Sequence, residues 1–246
     1  MKTFNDLLNR LKTIVPTNIQ PKFTTGEDLL AWNQEQGRLN SASIARENKA
    51  MKMQRIMCSS GIRALHMNCS FDNYHIENEG QRKAVKLARQ YSIEFDESIA
   101  SFIFSGRPGT GKNHLAAAIG NDLILRGKSV LIITVADLMS NIKATFNEIS
   151  NITEEQLLKN LSGIDLLIID EIGIQSESKY EKMIINQIVD RRSSSKLPTG
   201  MLSNLDHVGM NALLGERVMD RMRIGNSMWI CFDWESYRSR INGNEY

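Results

Sequence analysis

Apolar and polar positions follow two different rules along this chain. Near the start, Phe4, Leu7, Leu8, Leu11, Ile14 and Val15 recur at the i, i+3, i+4, i+7 spacing of an amphipathic helix, and Pro16 closes it. A second helix is predicted to open at Thr24 or Thr25, with Thr24 and Glu27 spaced as a capping box. It places Leu29 and Trp32 on one face and extends, with a break near Gly37, to about Met57. Two short helices bury little surface against each other, so their stripes are expected to dock on the larger domain or on another protein. Periodicity then fades through Ser59-Ser60-Gly61, which reads as a linker.

From Ile99 onward the pattern changes. Short apolar runs at Ser101–Ser105, Val130–Val135, Leu166–Ile169, Met201–Ser203 and Met228–Phe232 alternate with helical stretches such as His114–Leu125. Continuous apolar strands separated by helices predict an α/β domain, a mainly parallel five-stranded sheet with helices on both faces. The expected division is a helical N-terminal domain at 1–57, a linker at 58–75 and the α/β domain at 76–246.

Composition narrows the picture without redirecting it. The 246 residues are 41% hydrophobic and 24% charged, as a globular chain should be. Three cysteines, Cys58, Cys69 and Cys231, form no Cys-x-x-Cys pair and leave one over, which suits a reducing compartment. Cys58, His66, Cys69 and His75 lack the paired spacing of a structural zinc site. No apolar run is long enough to span a bilayer and the first residues carry no signal-peptide core, so we expect a soluble cytoplasmic protein without a membrane partner. The net charge of +2 conceals an asymmetry, because residues 1–70 carry ten Lys/Arg against five Asp/Glu. A basic N-terminal third can meet nucleic acid or an acidic protein face.

The candidate chemistry lies at strand ends. Gly106-Arg107-Pro108-Gly109-Thr110-Gly111-Lys112 follows an apolar strand and precedes a helix, the context in which glycines let backbone amides approach phosphates and a helix directs its positive end at them. Lys112 would neutralise the β- and γ-phosphates of ATP. The apolar run Leu166–Ile169 ends in Asp170, suited to hold Mg2+ directly or through water, and Glu171, suited to polarise an attacking water. After Gly-Lys such loops carry Ser or Thr, whereas this chain has Asn113 and then His114. An amide carbonyl is an oxygen donor for magnesium, directly or through water, so nucleotide binding is expected to survive and hydrolysis to be slow. Asn204 ends another strand, where it could orient the attacking water. Arg217, Arg221 and Arg223 follow on a helix, from which one Arg could reach the γ-phosphate of a neighbouring subunit in a ring or spiral.

With those residues in view, the chain resembles the DnaC family of AAA+ loaders, which serve the bacterial replicative helicase DnaB. The likeness spans essentially the whole sequence, including Ala31-Trp32, Arg46 to Arg55, Asn68 to Phe71, Gly109 to Ile119 with its Asn, Ser176 to Lys182 and Gly215 to Arg223. It implies an N-terminal domain that grips the helicase, with Leu11, Leu29 and Trp32 as contacts, and loader subunits that self-associate as a spiral on it, opening its ring around single-stranded DNA at replication initiation or restart. It further implies Asn204 as first sensor, Arg221 as a finger acting in trans and Arg238 as second sensor. The helical insertion at roughly Ala136 to Leu161 resembles that of initiator-type AAA+ proteins, and Phe146, with Ser178 and Tyr180, would face single-stranded DNA. A ring there could stack on bases without reading sequence, beside phosphate-attracting Lys143 and Lys179. Two further readings share the core: an IstB-like transposition helper ATPase, and a nucleotide-gated adaptor in which turnover is dispensable.

Overall fold

The structure, a computed structural model, describes residues 26–56, 66–147, 152–174 and 178–237. The predicted first helix with Leu11, the Thr24 cap, the Ser59–Gly61 linker and Arg238 lie outside these residues. The chain divides into two compact units, Met1–Ala42 and Ser43–Tyr246.

The first described element, α1 (Gly26–Ile56), is one helix of 31 residues. The break expected near Gly37 is absent, which corrects the sequence reading. One interior glycine costs a helix only about 1 kcal/mol, and its neighbours Gln34, Glu35, Gln36, Arg38 and Leu39 are good helix formers. Arg38 also spans the turn that holds Gly37, donating to both Glu35 carboxylate oxygens at 2.9 and 2.7 Å. Leu29 and Trp32 stand exposed on this helix.

The α/β part begins with α2 (Glu79–Glu94), closed at its start by a capping box between Asn78 and Gln81. There follow β1 (Phe102–Gly106), α3 (Lys112–Leu125), β2 (Val130–Thr134), α4 (Val135–Ala144), α5 (Glu154–Leu161), β3 (Leu166–Ile172), α6 (Lys179–Ser194), β4 (Thr199–Ser203), α7 (His207–Leu214), α8 (Glu216–Arg221) and β5 (Met228–Phe232). All five strands pair in parallel in the order β2-β3-β4-β1-β5. Each lies within three residues of its predicted span at either end.

Alternation along the strands splits the core in two. Ile103, Leu131, Ile133, Leu167, Ile169 and Met201 face α4 to α8, while Phe102, Phe104, Leu166, Ile168, Leu202 and Phe232 face α2 and α3. A sheet covered on both faces needs apolar residues at every position, which is why the strands read as unbroken apolar runs.

One charge is built into this core. Arg192 of α6 is fully buried, its guanidinium donating to the carbonyls of Leu161 (3.0 Å), Ile164 (2.8 Å), Asp165 (3.3 Å) and Pro198 and to Thr199 Oγ1 (3.1 Å). Burial pushes its pKa down to about 9, still above neutrality. The side chain ties the end of α6 to the turn after α5 and to the start of β4.

Candidate functional site

In an open parallel sheet a ligand binds beyond the carboxyl ends of the strands, where the strand order reverses. Here β1 lies between β4 and β5, and its carboxyl end runs into the glycine loop. Gly106, Gly109 and Gly111 all take positive φ, at 120°, 74° and 94°. Gly111 is required twice over, since a Cβ there would also lie 2.7 Å from the Tyr74 ring. No side chain caps the amino end of α3 at Gly111, leaving its first amides to a ligand.

Lys112 is buried, and its ammonium donates to the carbonyls of Gly106 and Arg107, both at 2.7 Å, and to Asn204 Oδ1 at 2.9 Å. The residue at the unusual position, Asn113, donates through Nδ2 to Asp170 Oδ2 at 2.6 Å. The other carboxylate oxygen of Asp170 accepts the backbone N–H of Glu171 at 2.7 Å. Glu171 has φ 61°, a left-handed conformation uncommon for a residue with a side chain. It lies where the β3–β4 register shifts between Ile169 and Ile172. Ser203 crosslinks the two strand ends there, donating to the Ile172 carbonyl at 2.7 Å.

Lys112, Asn113, Asp170, Glu171 and Asn204 therefore line one cleft, with Pro108 to Gly111 and His114. Its volume of about 540 Å³ falls in the range of small-molecule sites. Burial lowers the pKa of His114, although its bond to the Ser70 carbonyl acts the other way. Its Nε2 lies 3.1 Å from that carbonyl and 2.9 Å from Asn73 Oδ1, two acceptors that select the Nε2–H tautomer.

Several lining residues carry no sequence signal. His66, Cys69, Asn73, Tyr74 and His75 form one wall, although their segment reads as linker, and Gln81 and Tyr237 also line the cleft. Asn121 of α3 holds this wall, donating to the carbonyls of His66, Met67 and Cys69 at 3.0, 3.2 and 2.8 Å. The sequence reading makes this stretch a linker; its polar Ser70 and Asn73 close a turn, each accepting the other's backbone N–H through its side chain at 3.2 and 2.8 Å.

The sequence matches the family described as IstB-like ATP binding protein over residues 31–242. Over all 246 residues, covering the whole of both chains, it is 69% identical to the replicative helicase loader DnaC of Buchnera aphidicola subsp. Schizaphis graminum. It is 66% identical, again over the whole of both chains, to that of Escherichia coli strain K12. The chain belongs to the DnaC family of replicative helicase loaders. A crystal structure of the DnaC helicase loader superposes with a TM-score of 0.60 at 23% identity, covering 68% of this chain and 98% of that one, and supports the fold.

Among the described residues, the remaining candidates of this DnaC-family chain lie outside the cleft lining. Arg221, at the end of α8, is paired with Asp190 of α6, which also accepts Arg217 at 2.9 Å. Phe146, just beyond α4, is 60% exposed. Ser178 and Tyr180 have structural partners: Ser178 Oγ caps α6 by accepting the Glu181 N–H at 3.1 Å, and Tyr180 donates its hydroxyl to Glu154 at 2.9 Å while its ring packs on the core. Burial, and then the Glu154 carboxylate, push the Tyr180 hydroxyl up to about 12. Among the described residues no helix is long and apolar enough to cross a membrane.

Proposed function

We propose that the protein is an ATP-dependent loader that binds a replicative DnaB-type helicase, opens its ring and delivers it onto single-stranded DNA, with slow hydrolysis timing release. One observation carries this reading over a transposition helper or a plain nucleotide-gated adaptor. The match to replicative helicase loaders, 66–69% identical overall, covers the whole chain, the N-terminal region included. An ATP cleft alone would suit any of the three. The working place is the cytoplasm, on the helicase, where subunits associate as a spiral.

The cleft suits a magnesium nucleotide. Asp170 offers a carboxylate, the hard oxygen chemistry magnesium prefers, and Asn113, whose amide N–H donates to that carboxylate, would serve the ion by turning its carbonyl oxygen to it or through a water. Held by Asp170 with Asn113, magnesium would supply positive charge to offset that of the phosphates. Lys112 brings to the cleft an ammonium that already donates to three oxygen atoms, the kind of acceptor a phosphate offers. Glu171 takes a proton from the water that attacks the γ-phosphorus, and ADP leaves with the bridging oxygen. Asn204 orients that water. Arg221, exchanging Asp190 for a neighbour's γ-phosphate, adds charge in trans. Phe146, Ser178 and Tyr180 contact single-stranded DNA, and Leu11, Leu29 and Trp32 contact the helicase.

Asn113→Thr, which places a hydroxyl at the magnesium position, is expected to raise the single-turnover hydrolysis rate about tenfold, or ~1.4 kcal/mol. Magnesium-ATP affinity should change less than about threefold. An unchanged rate would refute the slow-site reading of Asn113.

The overall function is tested with the full chain, a hexameric DnaB-type helicase and circular single-stranded DNA coated with single-strand binding protein. The wild type is expected to deliver the helicase, scored by unwinding of an annealed oligonucleotide. A Leu29→Asp/Trp32→Ala chain should retain ATP binding and lose helicase co-elution. Failure of the wild type to co-elute with the helicase would favour the transposition-helper reading.

A further inference from the structure

Two segments far apart in sequence meet on one atom of the phosphate loop. The Tyr74 hydroxyl and the Trp234 indole N–H both donate to the carbonyl oxygen of Thr110, each at 2.9 Å. Thr110 is 3% exposed, so no solvent serves that oxygen in their place. One residue earlier, the Gly109 carbonyl accepts the backbone N–H of Tyr237 at 2.9 Å, and Arg107 N–H donates to the Phe232 carbonyl at 2.9 Å. The end of β5 and the chain after it thus run back along the loop and are bonded to it at three places, Phe232, Trp234 and Tyr237.

The trans peptide gives these bonds a consequence. In a planar trans peptide the C=O of one residue and the N–H of the next point in opposite directions. Fixing the Gly109 and Thr110 carbonyls therefore fixes the N–H directions of Thr110 and Gly111, two successive amides of the loop expected to cradle phosphate. Both rings are held in turn. Trp234 packs on Phe232, with centroids 4.8 Å apart, and lies over Gly80 at the start of α2, where a Cβ would come within 3.2 Å of the indole. Tyr74 meets His114 edge-on at 5.3 Å and stands so close to Gly111 that no Cβ fits between them.

We propose that Tyr74 and Trp234 are positioning residues, a two-donor clamp on the Thr110 carbonyl that sets the phosphate loop in its binding conformation. The clamp rests on the reading of this loop as an ATP site. Because a carbonyl oxygen has two lone pairs, either donor alone leaves it satisfied, and only the loss of both leaves a buried acceptor without a partner. The two substitutions should therefore combine to more than the product of their separate effects.

The test uses the full chain and the fluorescent probe N-methylanthraniloyl-ATP with magnesium, read by anisotropy. Tyr74→Phe keeps its ring and Trp234→Phe keeps an aromatic ring in place of the larger indole; each loses one donor, and each is expected to weaken binding about threefold. The double variant should weaken it about 50-fold or more. Tyr91→Phe is the control, because it removes an equally buried bond, Tyr91 Oη to the Ala100 carbonyl at 2.8 Å, outside the cleft lining. It should lower the melting temperature without weakening binding. A double variant no weaker than the product of the singles overturns the clamp, as does a Tyr91→Phe chain that binds as poorly. If the wild type itself does not bind the probe, the nucleotide reading falls and the clamp with it.

Discussion

Lys112→Ala is expected to weaken magnesium-ATP binding at least about 100-fold, whereas Glu171→Gln should leave binding nearly intact and slow hydrolysis by at least about the same factor. The contrast follows from where the two side chains sit. Lys112 is buried, and its ammonium joins both ends of the glycine loop to Asn204. Charge-assisted bonds of this kind contribute about 1.5–3 kcal/mol each, and removing the ammonium also leaves the carbonyls of Gly106 and Arg107 short of a donor. Glu171 is only partly buried, at the end of β3, where it can act on water without holding the phosphates. Equilibrium titration and single-turnover hydrolysis separate the two effects. Tight binding by Lys112→Ala would refute the assignment of this loop. The same pair of variants, assayed for helicase delivery, also decides whether turnover matters. Delivery by Glu171→Gln at the wild-type level would favour the nucleotide-gated switch.

The second large effect concerns stability. Arg192→Leu is expected to cost about 3–5 kcal/mol, because each buried carbonyl left without its donor costs about 1–3 kcal/mol. That is a large part of the 5–15 kcal/mol total of a typical domain and should lower Tm by about 10 °C. The reason is the set of groups left behind, four carbonyls from the end of α5, the turn after it and the loop before β4, gathered on one guanidinium. Its neighbour Arg191 provides the comparison. That side chain forms a two-point fork with Glu155 at 2.8 and 2.7 Å, but it does so in solvent, and Arg191→Ala should fall within about 1 kcal/mol of wild type. Thermal unfolding of the two variants checks the difference, and equal losses would refute it.

In the sequence, Asp190-Arg191-Arg192-Ser193 resembles any solvated helix end. Nothing local distinguishes the buried arginine from the exposed one. What separates them is the proximity of Leu161, Ile164 and Pro198, created only when α5, α6 and β4 pack. The strands were legible for the opposite reason, since a doubly covered sheet writes its burial into consecutive residues. The glycine loop, Asp170 and Glu171 were legible because phosphate chemistry confines them to fixed short spacings beside a strand end. Asn204 could be placed from its strand, but its bond to Lys112 spans 92 residues and leaves no periodic trace. Tyr74 and Trp234 are hidden by the same cause, each acting on Thr110 from a segment with no repeating pattern. The break predicted at Gly37 fails for a further reason. A propensity of about 1 kcal/mol decides little inside a long helix of good formers.

The ammonium of Lys112 has a consequence for how nucleotide arrives. Its bonds to Gly106, Arg107 and Asn204 mean that an incoming phosphate oxygen obtains it by substitution. The net gain is a difference between two sets of bonds, smaller than the attraction of opposite charges alone would give. If Asn204 is the partner displaced, its amide is released at the moment the phosphate is seated. Capture of the nucleotide and arming of the water-orienting group would then be a single exchange.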